Sequence, residues 1–232
     1  MALRAAFFDV GNTLVHLRLD RMAEAFAAEG VGREVEAIRA AERRARVRLD
    51  PIVADQGTTE GLDVMRSYLR LILEEVGVLW DGRGPRLVER LRALGRVERL
   101  WSEPDPDARA VLGELRRRGL SVGVISNSDG TAEQSLRDAG LLDAVDFVLD
   151  SHLVGVEKPD PRIFQLALGR AAVTPAEAAF VGDLYSIDVL GARRAGMTGI
   201  LLDPIGVWGE RDCPRARDLV EFRDFVLARA DA

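Results

Sequence analysis

Several side chains in this sequence could share one reaction, although they lie far apart along the chain. Asp9 stands in Phe7-Phe8-Asp9-Val10-Gly11-Asn12-Thr13-Leu14, at the end of an apolar run and before a glycine-bearing turn. Ser126-Asn127 closes a second apolar run, and Lys158-Pro159-Asp160 follows. Gly182-Asp183 closes another run, with Asp188 five residues on. Taken alone, an acid before Gly-Asn serves equally well as a turn cap. Acids, a hydroxyl and one ammonium at successive strand ends are what phosphoryl transfer through an aspartyl intermediate needs. A carboxylate attacks, a divalent metal neutralises both anions, and a cation with backbone amides holds the phosphoryl oxygens.

Composition sharpens the choice of residues. Lys158 is the only lysine, against thirty-one arginines, and Asn12 and Asn127 are the only asparagines. A chain that writes surface positive charge as arginine keeps a lysine where a compact ammonium must fit and a planar guanidinium cannot. Lys158, Asn12 and Asn127 each fall at the end of an expected strand, and all three are candidate substrate-binding residues.

The elements that must position these groups follow from hydropathy. Five short apolar runs, at 3–8, 121–125, 147–149, 178–181 and 199–202, each end in a polar residue or cluster. Their length and lack of strict alternation predict strands buried on both faces of a parallel sheet. Helix-period segments lie between them: Asp107–Arg118 stops at Gly119, Thr131–Ala139 at Gly140, and Ile187–Ala195 at Gly196. The pattern predicts an open, mostly parallel, Rossmann-like α/β sheet flanked by helices, with ligands bound beyond the carboxyl ends of the strands.

One stretch breaks the alternation. Between Leu17 and Leu100 only helical segments appear, at 17–29, 33–49, 60–76 and 85–99. The third carries Leu62, Met65, Leu69, Ile72 and Val76 on one stripe. This predicts an all-helical module of residues 17–99 inserted into an α/β core of residues 1–16 and 100–232. The Pro-rich Glu103-Pro104-Asp105-Pro106 is expected to be a hinge.

Composition also excludes. With 232 residues, 47% hydrophobic and 30% charged, the chain is of ordinary globular type. A net charge of -6 argues against nucleic acid as a partner. No apolar stretch is long enough for a membrane span. The single cysteine, Cys213, cannot form an internal disulfide, and a cytoplasmic setting is expected. Oligomeric state is not legible.

In order and spacing the four motifs resemble those of the haloacid dehalogenase-like hydrolase superfamily, in the phosphatase-type branch whose helical cap follows the first motif. The resemblance implies a small phosphorylated substrate and a nucleophile at Asp9. It implies that Ser126 binds the phosphoryl group, with Asn127 beside it, and that Lys158 stabilises Asp9 and the phosphate together. It further implies a Mg²⁺ site made by Asp9, the Gly11 carbonyl, Asp183 and Asp188.

The sequence departs from that pattern at Gly11. Most phosphatases of the family carry a second Asp there, as general acid for the leaving group. Gly keeps the carbonyl but cannot move a proton, and general acid catalysis is worth roughly 10²–10⁴ in rate. Three outcomes are open: a substrate with a good leaving group such as an acyl or aryl phosphate, a proton from His16 or a cap residue, or a weakly active phosphate-binding or regulatory protein. The dehalogenase branch also lacks that Asp, but two acids with no cation beside them would repel a haloacid. Phosphonate-cleaving members use a cap lysine, and this cap has none. The basic run Arg43, Arg44, Arg46 and Arg48 reads as a solvated helix face. Trp80, Trp101 and Trp208 read as packing residues. The loop from Ala54 to Thr59 could reach the site or serve as a plain connector.

Overall fold

Alternate residues of the first apolar run point to opposite faces, and that period of two fixes the layers. In the computed structural model, which describes residues 2–78, 80, 82–98 and 100–230, this run forms β1 (Ala5–Phe8). Ala6 and Phe8 join one apolar cluster, while Ala5 and Phe7 join another on the far side. A short β2 (Val15–Leu17) follows. Then come four helices: α1 (Leu19–Ala28), α2 (Val35–Gln56), α3 (Leu62–Glu75) and α4 (Arg83–Glu98). Arg99, the expected end of the fourth helical segment, lies outside the described residues, as do Met1 and residues 231–232 at the ends of the expected core.

The helical insertion is closed by β3 (Trp101–Pro104), which pairs antiparallel with β2. The Pro-rich segment expected as a hinge is therefore partly a strand. Pro104 can sit there because the ribbon has only two strands and needs no donor from it on the outer side.

The remaining elements alternate. In order they are α5 (Ala108–Arg117), β4 (Ser121–Ser126), α6 (Ala132–Asp138), β5 (Phe147–Asp150), α7 (Ser151–Val154) and α8 (Pro161–Ala171). They continue with β6 (Ala178–Gly182), α9 (Leu190–Arg194), β7 (Thr198–Leu202), β8 (Arg215–Ala216) and α10 (Leu219–Ala230). The large sheet has the order β5-β4-β1-β6-β7-β8, and every pairing is parallel. Leu112, Leu136 and Phe222 of α5, α6 and α10 pack with Ala6 and Phe8 on one face, whereas Phe164 and Ala192 of α8 and α9 pack with Ala5 and Phe7 on the other. The chain leaves β1 toward β4 and returns to β6 on its other side, which opens the crevice of a doubly wound sheet at the carboxyl end of β1.

A third apolar cluster fills the insertion. It includes Met22, Phe26, Ile38, Leu69 and Leu91, and it continues into Leu184 and Ile187 just after β6. The insertion and the sheet thus share packing at the edge where the acids collect. Among the described residues no helix is long and apolar enough to cross a membrane.

Candidate active site

Two strand ends, one loop and one turn deliver the charged groups. Asp9 follows β1, Asp183 follows β6, and Lys158 comes from the segment before α8. Asp188 arrives differently. Residues Tyr185–Val189 form a π-helical turn, and the Leu184 amide donates to Asp188 Oδ2 at 2.9 Å, which folds the side chain back over Gly182. A Cβ at Gly182 would collide with that carboxylate, so the close approach requires glycine.

Lys158 Nζ donates to Asp9 Oδ1 at 2.6 Å and to Asp188 Oδ1 at 2.7 Å. All three groups are at least nine-tenths buried. Asp9, Asp183 and Asp188 each present an oxygen within 4.8 Å of the others. Burial pushes the Asp9 carboxyl up to about 6, although Lys158 pulls it down, and Asp188 adds to the rise. Burial also raises Asp183 well above the usual carboxylate range, with Arg46 opposing and Asp188 and Asp9 reinforcing. Burial disfavours the Lys158 charge, but Asp188 and Asp9 outweigh it and hold the ammonium protonated. Three buried hard-oxygen ligands that repel one another are a donor set a small divalent cation fits.

The same cavity, about 800 Å³, is lined by Asp9, Lys158, Asp183 and Asp188 and also by Gly11, Asn12, Ser126 and Asn127. The expected nucleophile, metal ligands and phosphoryl-binding residues therefore open onto one space. Ser126 is buried at the end of β4, its hydroxyl donating to the Asn127 carbonyl at 3.4 Å. Asn127 Nδ2 donates to the Lys158 carbonyl at 2.8 Å, and Asn127 Oδ1 accepts from the Lys158 amide at 2.8 Å, clamping the lysine's backbone. Asn12 is the one asparagine at φ 55, a left-handed position that suits it. Its amide donates to Tyr68 Oη at 3.1 Å and to Asp183 Oδ2 at 3.3 Å, and its Oδ1 accepts from Trp101 Nε1 at 3.3 Å.

His16 does not line the cavity. It lies on β2 with Nε2 3.0 Å from Asp105 Oδ2, so the geometry removes it as a proton source for a group bound against Asp9.

Two expectations are overturned. Arg46 is not on a solvated face: it is 4% exposed, paired in fork fashion with the carboxylate of Glu42, and its Nε lies 3.6 Å from Asp183 Oδ2. Its neighbours behave as expected, with Arg44 on Glu75 and Arg48 on Glu74 and Glu75 at the surface. Trp101 is more than packing. It lines the cavity and stacks on Tyr68, with centroids 6.1 Å apart. Tyr68 in turn donates to Glu42, and burial together with that carboxylate raises its pKa well above its ordinary value. Glu42, Arg46 and Tyr68 went unread in the sequence, yet a signal existed. Glu42, Arg46 and Asp50 repeat at four-residue intervals on the stripe of Ile38, Ala45, Leu49 and Val53, which is the buried face of α2.

The loop after α2 reaches the site. Thr58 Oγ1 donates to Glu157 at 2.9 Å, and Thr59 Oγ1 accepts from Asn127 at 3.0 Å. Asp50 of α2 accepts from the Ser186 amide and hydroxyl, both at 2.8 Å.

Comparison with known proteins places the chain in a family. A family model described as haloacid dehalogenase-like hydrolase matches residues 3–196. The chain is 35% identical over 208 residues to haloacid dehalogenase-like hydrolase domain-containing protein 3 of Bos taurus, covering 87% of this chain and 82% of that one. It is 37% identical over 155 residues to a phosphoserine phosphatase of Thermus thermophilus, covering 63% and 60% respectively. Among solved structures, a 2-haloacid dehalogenase from Pseudomonas syringae aligns with TM-score 0.58 and 27% identity, over 98% of this chain and 99% of that one.

Proposed function

The chain belongs to the haloacid dehalogenase-like hydrolases, and on that premise we propose a Mg²⁺-dependent phosphatase that acts on a small phosphorylated molecule through a phosphorylated Asp9. Family membership and phosphatase relatives support hydrolysis of phosphate esters as the chemistry. The observation that carries the finer reading is the lysine bridge: one buried ammonium holds Asp9 and Asp188 at 2.6 and 2.7 Å, beside Asp183. An ordinary structural ion pair has no use for three converging buried carboxylates, because each costs desolvation.

The roles follow from position. An Asp9 carboxylate oxygen bonds to phosphorus while the bond to the leaving oxygen breaks and leaves its electron pair on that oxygen. Lys158 keeps Asp9 ionised and offers positive charge to the phosphoryl oxygens. Ser126 and Asn127 line the same cavity and bind the phosphoryl group, with Asn127 also fixing the lysine's backbone. Asn12 positions Asp183 and the aromatic wall. Water then adds to phosphorus and displaces Asp9 as a free carboxylate, giving inorganic phosphate. When bound, Mg²⁺ would be held by Asp9, Asp183, Asp188 and the Gly11 carbonyl, and would supply neutralisation of nucleophile and phosphoryl group. Residues 17–99 act as a cap that excludes water from the core formed by 1–16 and 100–232. A cytoplasmic setting fits the single cysteine.

Phosphate release from an aryl phosphate tests this directly. It should need Mg²⁺, stop with a chelator, and vanish in Asp9→Asn. Acid quenching during turnover should leave one phosphoryl group on the peptide carrying Asp9. An Asn variant as fast as the parent would remove the nucleophile assignment, and phosphate binding without release would make the protein a binder.

Arg46 favours a second reading. It supplies the cation beside Asp183 that a metal-free dehalogenase would need. Halide release from 2-chloropropionate in the presence of chelator would select that reading over the phosphatase.

A further inference from the structure

The phosphatase reading leaves the leaving group undefined, and the apolar part of the cavity wall bears on it. That wall is supplied by the insertion: Leu49, Val64, Met65 and Leu69, with Leu100 and the Tyr68–Trp101 stack. Its surface is apolar and partly aromatic. The charges around it are already matched. Among the described residues that line the cavity, the cations are Arg46, Arg92 and Lys158. Arg46 is held by Glu42, Arg92 by both oxygens of Glu89 at 2.8 and 2.9 Å, and Lys158 by Asp9 and Asp188. The ionisable groups left over are Glu60 and Asp129, which repel anions. A carboxylate or second phosphate on the leaving group would thus meet no unmatched cation among the described lining residues, which is costly wherever water is excluded.

The proton count points the same way. Gly11 offers no acid. A Cβ placed there would stand 3.7 Å from Trp101 Nε1, so the neighbour of that space is an indole N–H. Such a group donates a hydrogen bond but does not surrender its proton. With no acid at position 11, a leaving oxygen that can carry its own negative charge is favoured. A phenol like that of tyrosine ionises near pH 10, whereas water, a guide to simple alkanols, ionises at about 15.7.

From these two independent observations we infer that the substrate is a phosphate monoester of an uncharged aromatic hydroxyl, an aryl phosphate whose ring lies against the Tyr68–Trp101 and leucine wall. The inference rests on the phosphatase reading but can fail separately from it. Esters with an anionic leaving group are disfavoured because no described cation lining the cavity is unmatched, and alkyl esters because position 11 carries no acid.

The test is a kcat/KM series over phenyl phosphates of graded leaving-group pKa, 2-naphthyl phosphate, cyclohexyl phosphate and phosphoserine. Aryl esters should exceed cyclohexyl phosphate and phosphoserine by at least about 10²-fold, the low end of what an absent general acid forfeits. The rate should fall steeply as leaving-group pKa rises, and Gly11→Asp should flatten that slope. Met65→Glu should raise KM for 2-naphthyl phosphate about tenfold with kcat and inhibition by inorganic phosphate little changed, a split that simple misfolding would not give, and Met65→Leu should restore it. Phosphoserine or cyclohexyl phosphate turned over as well as the aryl esters, or an unmoved KM in Met65→Glu, would overturn the inference alone. Failure to release phosphate from any ester, with no phosphoryl group on Asp9, would sink the phosphatase reading and this one with it.

Discussion

At the scale of single residues, the least expected participant is Arg46. A buried guanidinium 3.6 Å from a carboxylate offered to a metal competes for that carboxylate. Glu42 decides how strongly it competes, because the fork pairing draws charge away from Asp183. Burial opposes the Arg46 charge, yet Glu42 and Asp183 outweigh it and keep the group cationic. Opposite substitutions should therefore move metal affinity in opposite directions. Arg46→Gln should tighten Mg²⁺ binding measured by calorimetry, roughly tenfold, the factor about 1.4 kcal/mol carries. Glu42→Gln should weaken it, by turning Arg46 more fully onto Asp183. Shifts of the same sign in both variants would mean that the pair only packs the interior of α2.

At the scale of elements, the site is made by how strands end. Three of its groups were legible because parallel strands present polar residues at their carboxyl ends, and Asp9, Ser126 and Asp183 stand immediately after or at such ends. Lys158 was legible through its rarity. Strands β2 and β3 escaped because a two-stranded ribbon at the base of an insertion has no apolar alternation to announce it: it reads Val-His-Leu against Trp-Ser-Glu-Pro. The inward turn of Arg46 escaped because an arginine run on a helix is normally solvated, and only the four-residue repeat with Glu42 and Asp50 contradicts that. The π-helical turn after β6 escaped too, since an ordinary helical period covers Ile187–Ala195, yet that turn sets Asp188 against Gly182. Gly182→Ala should leave the strand intact, as alanine is tolerated there by backbone conformation, while displacing the Asp188 carboxylate. Activity should fall at least about tenfold, and the far-ultraviolet circular dichroism should match the parent. Unchanged activity would mean that Asp188 has room to move without consequence.

At the scale of the whole molecule, the converging carboxylates trade stability for function. Asp9 is raised from 3.8 to about 6, chiefly by burial. A raised carboxyl binds its proton more tightly in the folded chain than in the unfolded one. Its contribution to stability is therefore fully present below about pH 3.8 and is lost as pH rises through about 6. For a shift of this size the loss is on the order of 3 kcal/mol, a sizeable part of the 5–15 kcal/mol that is roughly typical of a domain. Asp183, raised in the same direction by burial, adds to the effect. A divalent cation reverses the trend, because it binds the ionised carboxylates and only the folded chain brings them together. At about 100 times its Kd a ligand of the folded state adds roughly 2.7 kcal/mol. The thermal midpoint should accordingly rise on adding Mg²⁺ at pH 7.5, and that rise should shrink to near nothing at pH 5, where Asp9 is mostly protonated. Differential scanning fluorimetry at the two pH values with matched ionic strength checks this. An equal rise at both would mean that the cation stabilises the protein somewhere other than the three acids, and the proposed magnesium site would have to be abandoned.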